Sequence, residues 1–404
     1  MRICVLAHAV FDGDARIQRE AKALAEAGAE VDIYCLYQPN EPYIEVSERI
    51  RLIREVRYKR PDTAAAMLAQ LLRFFFASFF WVTKNHLKKK YDAIHVHTVP
   101  DFQVFAAVIP KLTGAKVVLD MHEILPELYA RKFNLATTHW MFRVIKFVEK
   151  LSVKFADHVL IASPLFRERV AERTGQGEKI RTLINIPDLS YFEQSESVVK
   201  RESEKIRVIY PGTLSELHGV DVAIDAVGRA CREKKLDLEF HIYGHGPEEE
   251  NLRAQVKRLG LENVVQFHKP LKLEDLYAEM RQMDIGLIPK RSGTFADDAM
   301  STKLFEYVAA DLPAVVSWTK SDALFFDESM VGFFEAGNAE AMAEKIAEFA
   351  ENPAMRRAYA ENAKEVFKTV NWRIISRTLL TAFNIEVEEE PAVQPVVLEE
   401  SVLT

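Results

Sequence analysis

The fold of this chain is decided by residues 285–317, which read IGLIPKRSGTFADDAMSTKLFEYVAADLPAVVS. The apolar run that ends at Pro289 predicts a buried strand, and the polar residues after it predict a loop. Apolar residues at helical spacing from Ser301 onward predict a helix. Small residues then lead into a second apolar run, 314–317, which predicts another strand. Strand, loop, helix and strand in this order are typical of a parallel sheet covered by helices.

The same alternation fills the rest of the chain, apart from one polar break. Residues 188–205 lack apolar periodicity and predict a linker between two domains, 1–190 and 205–370. We therefore predict an α/β fold of two doubly wound, Rossmann-like domains that face a central cleft. A helix at 371–385 is expected to return to the first domain, and the acidic segment 386–404 predicts a disordered tail.

Composition limits the possible functions. The length of 404 residues suits two domains, and the net charge of −7 argues against a nucleic-acid partner. The cysteines Cys4, Cys35 and Cys231 form no CxxC pair, so neither a disulfide framework nor thiol chemistry is indicated. The N-terminal apolar run is short and lacks a small-residue cleavage site, so we expect a cytoplasmic protein.

The helix predicted from Ser301 carries residues suited to a phosphorylated ligand. A helix N-terminus offers unpaired N–H groups and partial positive charge, and Ser301 or Thr302 can cap it. Lys303 stands in the first turn, where a cation is unfavourable unless an anion binds beside it; a solvated lysine is the alternative. Glu306, further along the helix, can accept hydrogen bonds from two adjacent hydroxyls, such as those of a ribose.

This segment resembles the family 4 glycosyltransferases with the GT-B fold. Their signature is two acids with seven residues between them, followed by the rest of a helix and a small-residue turn. Asp298 and Glu306 occupy these positions, with Asp where the family usually has Glu at the first. The resemblance implies that Glu306 holds the ribose hydroxyls of a nucleotide-diphosphate-sugar donor. It also implies that Asp298 contacts the donor sugar, a role that Asp297 can share.

Two further segments of the second domain are similar to the same family. YPGTLSELHGVDVAIDAV, residues 210–227, resembles the first strand and loop of the nucleotide domain, which makes Gly212, Thr213 and His218 donor-binding candidates. FHIYGHGPEEENLRAQVKRLGLENVVQFHKPL, residues 240–271, resembles the strand, turn and helix that follow. In its turn, Gly244 and Gly246 permit close backbone approach to a ligand, although GxG is also a common turn sequence.

One departure concerns the charge that would neutralise the diphosphate. Members of the family commonly carry an Arg and a Lys in the loop where this chain has Thr213 and His218. Lys290, Arg291 and Lys303 are the cations predicted to replace them.

The first domain supplies candidates in two loops. Gly13 and Arg16, after the first strand, are predicted to face the diphosphate across the cleft; the alternative is that Arg16 and Asp14 pair with each other or with solvent. VVLDMHEILPELY, residues 117–129, places an acid and a histidine beyond a buried strand. By resemblance this stretch lines the acceptor and donor-sugar site, where His122 is predicted to be catalytic. The alternative is a structural histidine whose ring makes its hydrogen bonds within its own domain. The acceptor-side candidates are Asp120, His122, Glu123 and His97.

The family resemblance also implies a mechanism. Retention is explained without a protein nucleophile, because the donor phosphate accepts the proton of the acceptor while the acceptor attacks the same face. No metal and no cofactor is required by this scheme. The Asp-x-Asp triplet formed by Asp12 and Asp14 matches a metal motif formally but is interpreted as part of the loop.

Residues 64–82, AAAMLAQLLRFFFASFFWV, are unusually apolar, and lysines follow them up to residue 90. Spanning a bilayer would break the sheet in which the segment lies. We therefore predict contact of residues 64–90 with an anionic membrane surface, with a buried core helix as the alternative. A peripheral enzyme of polysaccharide biosynthesis, acting on a glycan or lipid-linked acceptor, follows from the first interpretation.

Other functions with this architecture remain open. A sugar-nucleotide epimerase would have the same two domains, and a non-catalytic nucleotide- or sugar-binding protein would fit the missing Arg/Lys pair. A dinucleotide-dependent dehydrogenase is disfavoured, because no G-x-G-x-x-G fingerprint follows the first strand.

Overall fold

The computed structural model describes residues 1–38, 41–59, 63–132, 138–187, 189, 192 and 205–386. The described chain forms two compact units. The N-terminal unit contains Met1–Asn185 together with residues 373–386, and the C-terminal unit contains residues 186–372. Most of the predicted linker, and the predicted tail from residue 387, lie outside the described residues.

The N-terminal unit is built on an eight-stranded sheet with the order β3-β4-β2-β1-β5-β6-β7-β8. Every pairing is parallel except that of β3 with β4. Its central strands are continuous apolar runs because both faces of the sheet are covered. The strands are β1 Arg2–Val10, β2 Glu30–Tyr37, β3 Ile44–Ser47, β4 Ile50–Arg57, β5 Ala93–His97, β6 Lys116–Met121, β7 His158–Ile161 and β8 Ile180–Thr182.

The helices of this unit cover the two faces unequally. Parallel strands are joined by right-handed crossovers, so the β1–β2 helix lies on one face, and the connections β4–β5, β5–β6 and β6–β7 lie on the other. The helices are α1 Ala15–Glu26, α2 Ala64–Lys88, α3 Val108–Leu112, α4 Leu125–Lys132, α5 Trp140–Phe155 and α6 Pro164–Thr174, with 3-10 turns at Phe11–Gly13, Asp101–Ala107 and Gly177–Lys179.

The C-terminal unit has a six-stranded parallel sheet with the order β11-β10-β9-β12-β13-β14. Its strands are β9 Ile206–Pro211, β10 Leu238–Tyr243, β11 Val265–His268, β12 Ile285–Ile288, β13 Ala314–Ser317 and β14 Gly332–Phe334. Its helices are α7 Val220–Glu233, α8 Glu249–Leu259, α9 Leu273–Met280, α10 Thr294–Asp298, α11 Thr302–Ala309, α12 Lys320–Ala323, α13 Ala339–Glu351, α14 Pro353–Ala363 and α15 Val366–Thr369, with a 3-10 turn at Glu216–His218.

The last helix links the two units along the chain. Helix α16, Trp372–Ala382, belongs to the N-terminal unit from Arg373 onward. Phe383, just after it, packs edge-on against the His95 ring at a centroid distance of 5.2 Å. His95 lies on β5, so this end of the chain is anchored to the N-terminal sheet.

The α/β class with doubly wound sheets is confirmed. One local prediction was wrong, because the segment between β12 and α11, predicted as a polar loop, contains the short helix α10. Its Phe295 and Ala296 are buried, so this turn is held by apolar packing that the charged residues around it obscure in the sequence.

Candidate functional site

The C-terminal unit has a pocket of about 360 Å³ beyond the carboxyl ends of β9 and β10. In parallel sheets this edge is where ligands bind, because strand ends leave room there between the loops. The pocket is lined by Pro211, Gly212, Thr213, Tyr243, Gly244, His245, Pro270, Leu271, Leu276, Lys303 and Glu306. It therefore brings together five of the predicted donor-binding residues, namely Gly212, Thr213, Gly244, Lys303 and Glu306.

Backbone hydrogen bonds hold the two glycine loops of the pocket together. The N–H of Gly212 donates to the carbonyl of Tyr243 at 2.8 Å, and the N–H of Leu214 donates to the carbonyl of His245 at 3.0 Å. At Gly244 an added Cβ would lie 3.0 Å from the carbonyl carbon of Gly212 and closer still to its oxygen. Glycine is thus required there by the neighbouring loop.

Gly246 has a different neighbour. An added Cβ would lie 2.6 Å from the carbonyl carbon of Leu214, so this glycine packs against the loop after β9 and is not among the residues that line the pocket. The close approach predicted for Gly246 is made with protein backbone.

Lys303 stands in the first turn of α11 and reaches across to the loop after β9. Its Nζ lies 5.5 Å from the centroid of the Tyr210 ring, and the open side of Gly212 faces its side chain. Burial lowers the pKa of Lys303, and the nearby Glu306 opposes that shift. A partly desolvated ammonium beside a helix N-terminus is a favourable partner for a phosphate group.

The start of α11 is fixed by Asp322, a residue that the sequence did not single out. Its buried carboxylate accepts hydrogen bonds from the Ser301 N–H and Ser301 hydroxyl, both at 2.7 Å, and from the Thr319 hydroxyl at 2.8 Å. Ser301 is the N-cap residue, but its side chain does not cap the helix. Both donors of Ser301 are used by Asp322 and Ser301 does not line the pocket, so its donor-binding role stays a prediction.

Lys290 also has its partners within the C-terminal unit. Its Nζ donates to the carbonyl of Ala299 at 2.6 Å and pairs with Asp322 at 3.2 Å, and the side chain is buried. Arg291 pairs with Asp221. Lys290 and Arg291 each have a carboxylate partner and do not line the pocket, so their replacement of the missing cations stays a prediction. Lys303 is the predicted cation that lines the pocket.

Three other predicted residues of this unit do not line the pocket. Thr302 is half-buried at the first position of α11, four residues after Asp298, which is buried at the end of α10. The ring Nδ1 of His218 lies 2.8 Å from the Ser215 hydroxyl. Neither Asp298, Thr302 nor His218 is among the lining residues, so their roles at the donor stay predictions.

In the N-terminal unit the predicted residues meet around one buried carboxylate. Asp120 has no exposed surface. Its Oδ2 accepts from Arg16 Nε at 2.8 Å, and its Oδ1 accepts from Arg16 NH2 at 2.6 Å. The same Oδ2 lies 3.1 Å from His97 Nδ1 and 3.2 Å from His122 Nε2. Burial alone would raise the pKa of Asp120, but Arg16 and His122 hold it well below its usual range.

The predicted roles of three residues of this unit need correction. Arg16 was predicted to face a diphosphate, but its buried guanidinium is bound by Asp120, by Glu20 at 2.9 Å and by the carbonyl of Leu183 at 2.9 Å. Its alternative partner, Asp14, contacts Arg16 through the backbone, because Asp14 caps α1 by accepting from the N–H groups of residues 16 and 17. Asp120 and His97 are buried and cannot touch an acceptor; they support His122 instead.

His122 is the member of this cluster that reaches the surface, with 22% of its side chain exposed. Its N–H donates to the Thr98 hydroxyl at 3.2 Å, so both backbone and ring are held. Glu123 beside it is half-buried, and burial raises the pKa of its carboxyl. Gly13 lies in an exposed 3-10 turn, where an added Cβ would meet nothing within 4 Å.

The buried cluster contains residue types that can bind a metal ion. One potential ligand atom from each of Glu20, His95, His97 and Asp120 lies within 4.8 Å of the others. The Arg16 guanidinium is paired with both carboxylates of this set, so a cation would sit beside a fixed positive charge. Burial and Asp120 raise the pKa of Glu20, and burial lowers the pKa of His95. The raised pKa of Glu20 disfavours the carboxylate form that a metal ligand requires.

Sequence reasoning missed part of the pocket wall. Pro270, Leu271 and Leu276 form an apolar side, and Tyr243 and His245 join the glycine loops. The exposed Leu271, next to a proline in a loop, was a usable signal, because exposed apolar residues in loops often contact ligands. Asp322 carried no local signal, since its partners are brought to it by the fold.

Comparisons with known proteins agree with this architecture. The family model described as "Glycosyl transferase 4-like domain" matches residues 13–185, and "Glycosyl transferases group 1" matches residues 192–366. Among solved structures, sucrose-phosphate synthase from Thermosynechococcus elongatus has a TM-score of 0.75 at 17% identity, covering 95% of this chain and 98% of its own. Anabaena HepE in complex with UDP has a TM-score of 0.66 at 16% identity, covering 95% and 100%.

The curated relatives match a smaller share of this chain than the solved structures do. A glycosyltransferase of Escherichia coli (strain K12) named for colanic acid biosynthesis, WcaL, is 26% identical over 55% of each chain. The match thus spans about half of that relative's length. The 2-deoxystreptamine N-acetyl-D-glucosaminyltransferase of Niallia circulans is 23% identical over 72% of this chain and 76% of its own. Taken with the two family models, which together cover most of the sequence, these findings place the chain in the group 1 glycosyltransferases, with their GT-B fold.

Proposed function

We propose that this protein is a retaining glycosyltransferase that moves a sugar from a nucleotide-diphosphate donor to a glycan or lipid-linked acceptor at the cytoplasmic membrane face. The observation that carries the proposal is the pocket in which the glycine loops, Lys303 and Glu306 come together. The UDP bound to the structural relative HepE makes a uridine nucleotide the first donor to test. The relative named for colanic acid biosynthesis supports a role in polysaccharide synthesis.

Each wall of the pocket has a proposed part in donor binding. Glu306 accepts hydrogen bonds from the ribose hydroxyls, and the backbone at Gly212 and Gly244 admits the diphosphate closely. Lys303 and the N-terminus of α11 stabilise the leaving diphosphate as negative charge develops on it. Pro270, Leu271 and Leu276 offer an apolar surface to the base.

On the acceptor side, the proposed residue is His122, with Glu123 beside it. If the Nε2–H of His122 donates to Asp120, its Nδ1 is left as an acceptor for a sugar hydroxyl. Arg16 and Asp120 act as positioning residues, because they fix the ring from inside the unit. Asp298 keeps the donor-sugar role that the family resemblance implies.

Retention without a protein nucleophile and without a metal is part of the proposal. The donor phosphate accepts the acceptor's proton, and the protein contributes positioning and charge stabilisation. In this scheme Lys303, and not a metal ion, supplies the positive charge at the diphosphate. The Asp-x-Asp carboxylates have protein partners: Asp14 caps α1, and Asp12 lies 3.5 Å from Arg54.

A peripheral position on the membrane is proposed from α2. By length and composition, residues 65–88 could cross a membrane, and only 22% of the most apolar window is buried. The helix connects β4 to β5 of one sheet, so lying flat on the bilayer preserves the fold where crossing would not.

The proposal is tested with purified protein, a panel of UDP-, GDP-, ADP- and CMP-sugars, and a membrane extract as the source of acceptor, in EDTA and in magnesium. We expect turnover with one class of donor, equal in both buffers, and a product whose anomeric configuration by NMR equals that of the donor. An inverted product would overturn the retaining mechanism, and dependence on magnesium would overturn metal independence. Epimerised donor without acceptor would indicate an epimerase, and binding without turnover a non-catalytic protein.

A further inference from the structure

Helix α2 carries an apolar row on its exposed side. Exposed side chains recur every four residues, a spacing that places them along one side of a helix. Phe80 is the most exposed apolar residue of this row, with 66% of its surface accessible. The opposite side of the helix, which includes Leu71, Phe74 and Val82, is buried. The row runs Leu68, Leu72, Phe76 and Phe80 and continues with Lys84 and Lys88.

Helix α5 has a second exposed apolar stripe. Trp140 has 67% of its side chain exposed, and the exposed positions that follow it are spaced by four, three and four residues. Such a stripe would normally face a core. The stripe consists of Trp140, Val144, Phe147 and Leu151, and basic residues flank it at Arg143, Lys146, Lys150 and Lys154.

The two helices lie on the same face of the N-terminal sheet. Both pack against the 3-10 segment Asp101–Ala107. Phe102 in that segment contacts Phe75 of α2 at a ring distance of 5.8 Å, and Phe105 contacts Phe155 of α5 at 5.2 Å. The exposed stripes therefore belong to helices that pack on one side of the same compact unit.

The exposed charged residues of both helices are all positive. Helix α2 contains no acidic residue, and the one acid of α5 is Glu149. Glu149 is buried and pairs with Arg173 at 2.8 Å, so it does not offset the basic residues at the surface. Apolar side chains ringed by cations and without exposed acids match the interface of a bilayer that contains anionic lipids. A protein partner would be expected to meet carboxylates as well.

We propose that α2 and α5 together form a membrane-docking surface, here called the two-helix platform, that seats the N-terminal unit on an anionic bilayer. This deepens the proposed function, on whose membrane-face acceptor it rests, by adding α5 as an equal half of the contact. Aromatic side chains enter the headgroup region, and the flanking lysines meet lipid phosphates. The acceptor class that this surface favours is a lipid-linked one, held at the same interface.

The test uses the full chain and vesicles of phosphatidylcholine, either pure or mixed with equal parts of phosphatidylglycerol, in a co-sedimentation assay. We expect binding to the mixed vesicles only. Trp140→Ser/Phe147→Ser and Phe76→Ser/Phe80→Ser should each weaken it by roughly tenfold or more, because each removes two aromatic insertions. Lys150→Glu/Lys154→Glu should weaken it comparably, and less so in high salt. The matched control is Ile44→Ser/Val46→Ser, which alters equally exposed apolar residues on edge strand β3; Val46 is 68% exposed.

Three results would overturn the platform. They are wild-type protein that stays in the supernatant, α5 variants that bind as wild type does, and concentration-dependent dimers in sedimentation velocity that the α5 variant abolishes. Circular dichroism of each variant separates lost binding from lost fold. Nucleotide binding by Glu306→Ala is measured in parallel. Vesicle binding that survives in this variant keeps the platform independent of the donor site, so failure of one proposal is distinguishable from failure of the other.

Discussion

The assignment of Lys290 to the interior of the C-terminal unit can be tested through Asp322. In Asp322→Asn, one acceptor oxygen remains for four donors, which in the wild-type protein lie 2.7–3.2 Å from the carboxylate. The Asn amide also leaves the buried Lys290 ammonium without a counter-charge. Breaking a buried pair from one side costs about 3–5 kcal/mol. For a unit of this size, a cost of about 3 kcal/mol lowers the Tm by roughly 6–12 °C.

The assay is a double-mutant cycle followed by thermal unfolding and nucleotide titration. Lys290→Met in the Asp322→Asn background removes the unpaired cation, so the double variant should be less destabilised than the sum of the single ones, by about 1 kcal/mol or more. Lys290→Met alone should keep nucleotide affinity within about threefold, whereas Lys303→Met should lower it by about tenfold or more, because it removes a charge-assisted hydrogen bond. Additive effects, or equal losses of affinity in Lys290→Met and Lys303→Met, would refute the reasoning and return Lys290 to the donor site.

Three further predictions follow from buried or crowded positions. Burial raises the pKa of Asp101 to about 7, and neither carboxylate oxygen has a hydrogen-bond partner among the described residues. The folded carboxyl holds its proton more tightly than the unfolded one, so its stabilisation is present at low pH and lost as pH rises from about 4 to about 7. Asp101→Asn should therefore raise the Tm clearly at pH 8 and by much less at pH 5; an equal gain at both pH values would contradict the shift. Arg16→Met should destabilise the N-terminal unit by about 3–5 kcal/mol, since Asp120 and Glu20 lose their partner, and leave nucleotide affinity unchanged; lost affinity with an unchanged Tm would place the guanidinium at the ligand. Gly244→Ala should weaken nucleotide binding and lower the Tm, because the new Cβ overlaps the carbonyl of Gly212, while Gly13→Ala should change stability by less than about 0.5 kcal/mol; unfolding and titration of both variants check this, and equal behaviour of the two would count against the loop geometry.

Much of the fold could be predicted because buried parallel strands leave a simple trace in the sequence. Strand β10 was predicted at Leu238–Tyr243 and is found there, and β9 starts one residue earlier than predicted, at Ile206. Both are apolar runs closed by turn residues, and they place Gly212 and Gly244 at the same sheet edge. The proximity of Lys303 and Glu306 follows from helical spacing alone.

Side-chain partners across the fold could not be predicted. Lys290 and Asp322 are 32 residues apart, and Arg16 and Asp120 are 104 apart. A local pattern reports periodicity, while a buried cation finds whichever carboxylate the sheet brings to it. For the same reason the sequence predicts Arg16 and Lys290 as ligands for a diphosphate, although each has a carboxylate partner within its own unit. The sequence of α2 likewise indicated an apolar helix without telling which side packs on the sheet.

The central claim is that Glu306 holds the ribose of a nucleotide in the pocket of the C-terminal unit. The most direct measurement is calorimetric titration of wild-type protein and Glu306→Ala with UDP and 2′-deoxy-UDP, after a screen has established that the uridine nucleotide binds. The account predicts that the wild type binds UDP about tenfold or more tightly than its 2′-deoxy analogue, and that Glu306→Ala binds both with the same, weaker affinity. Discrimination between the two nucleotides that persists in Glu306→Ala would contradict it.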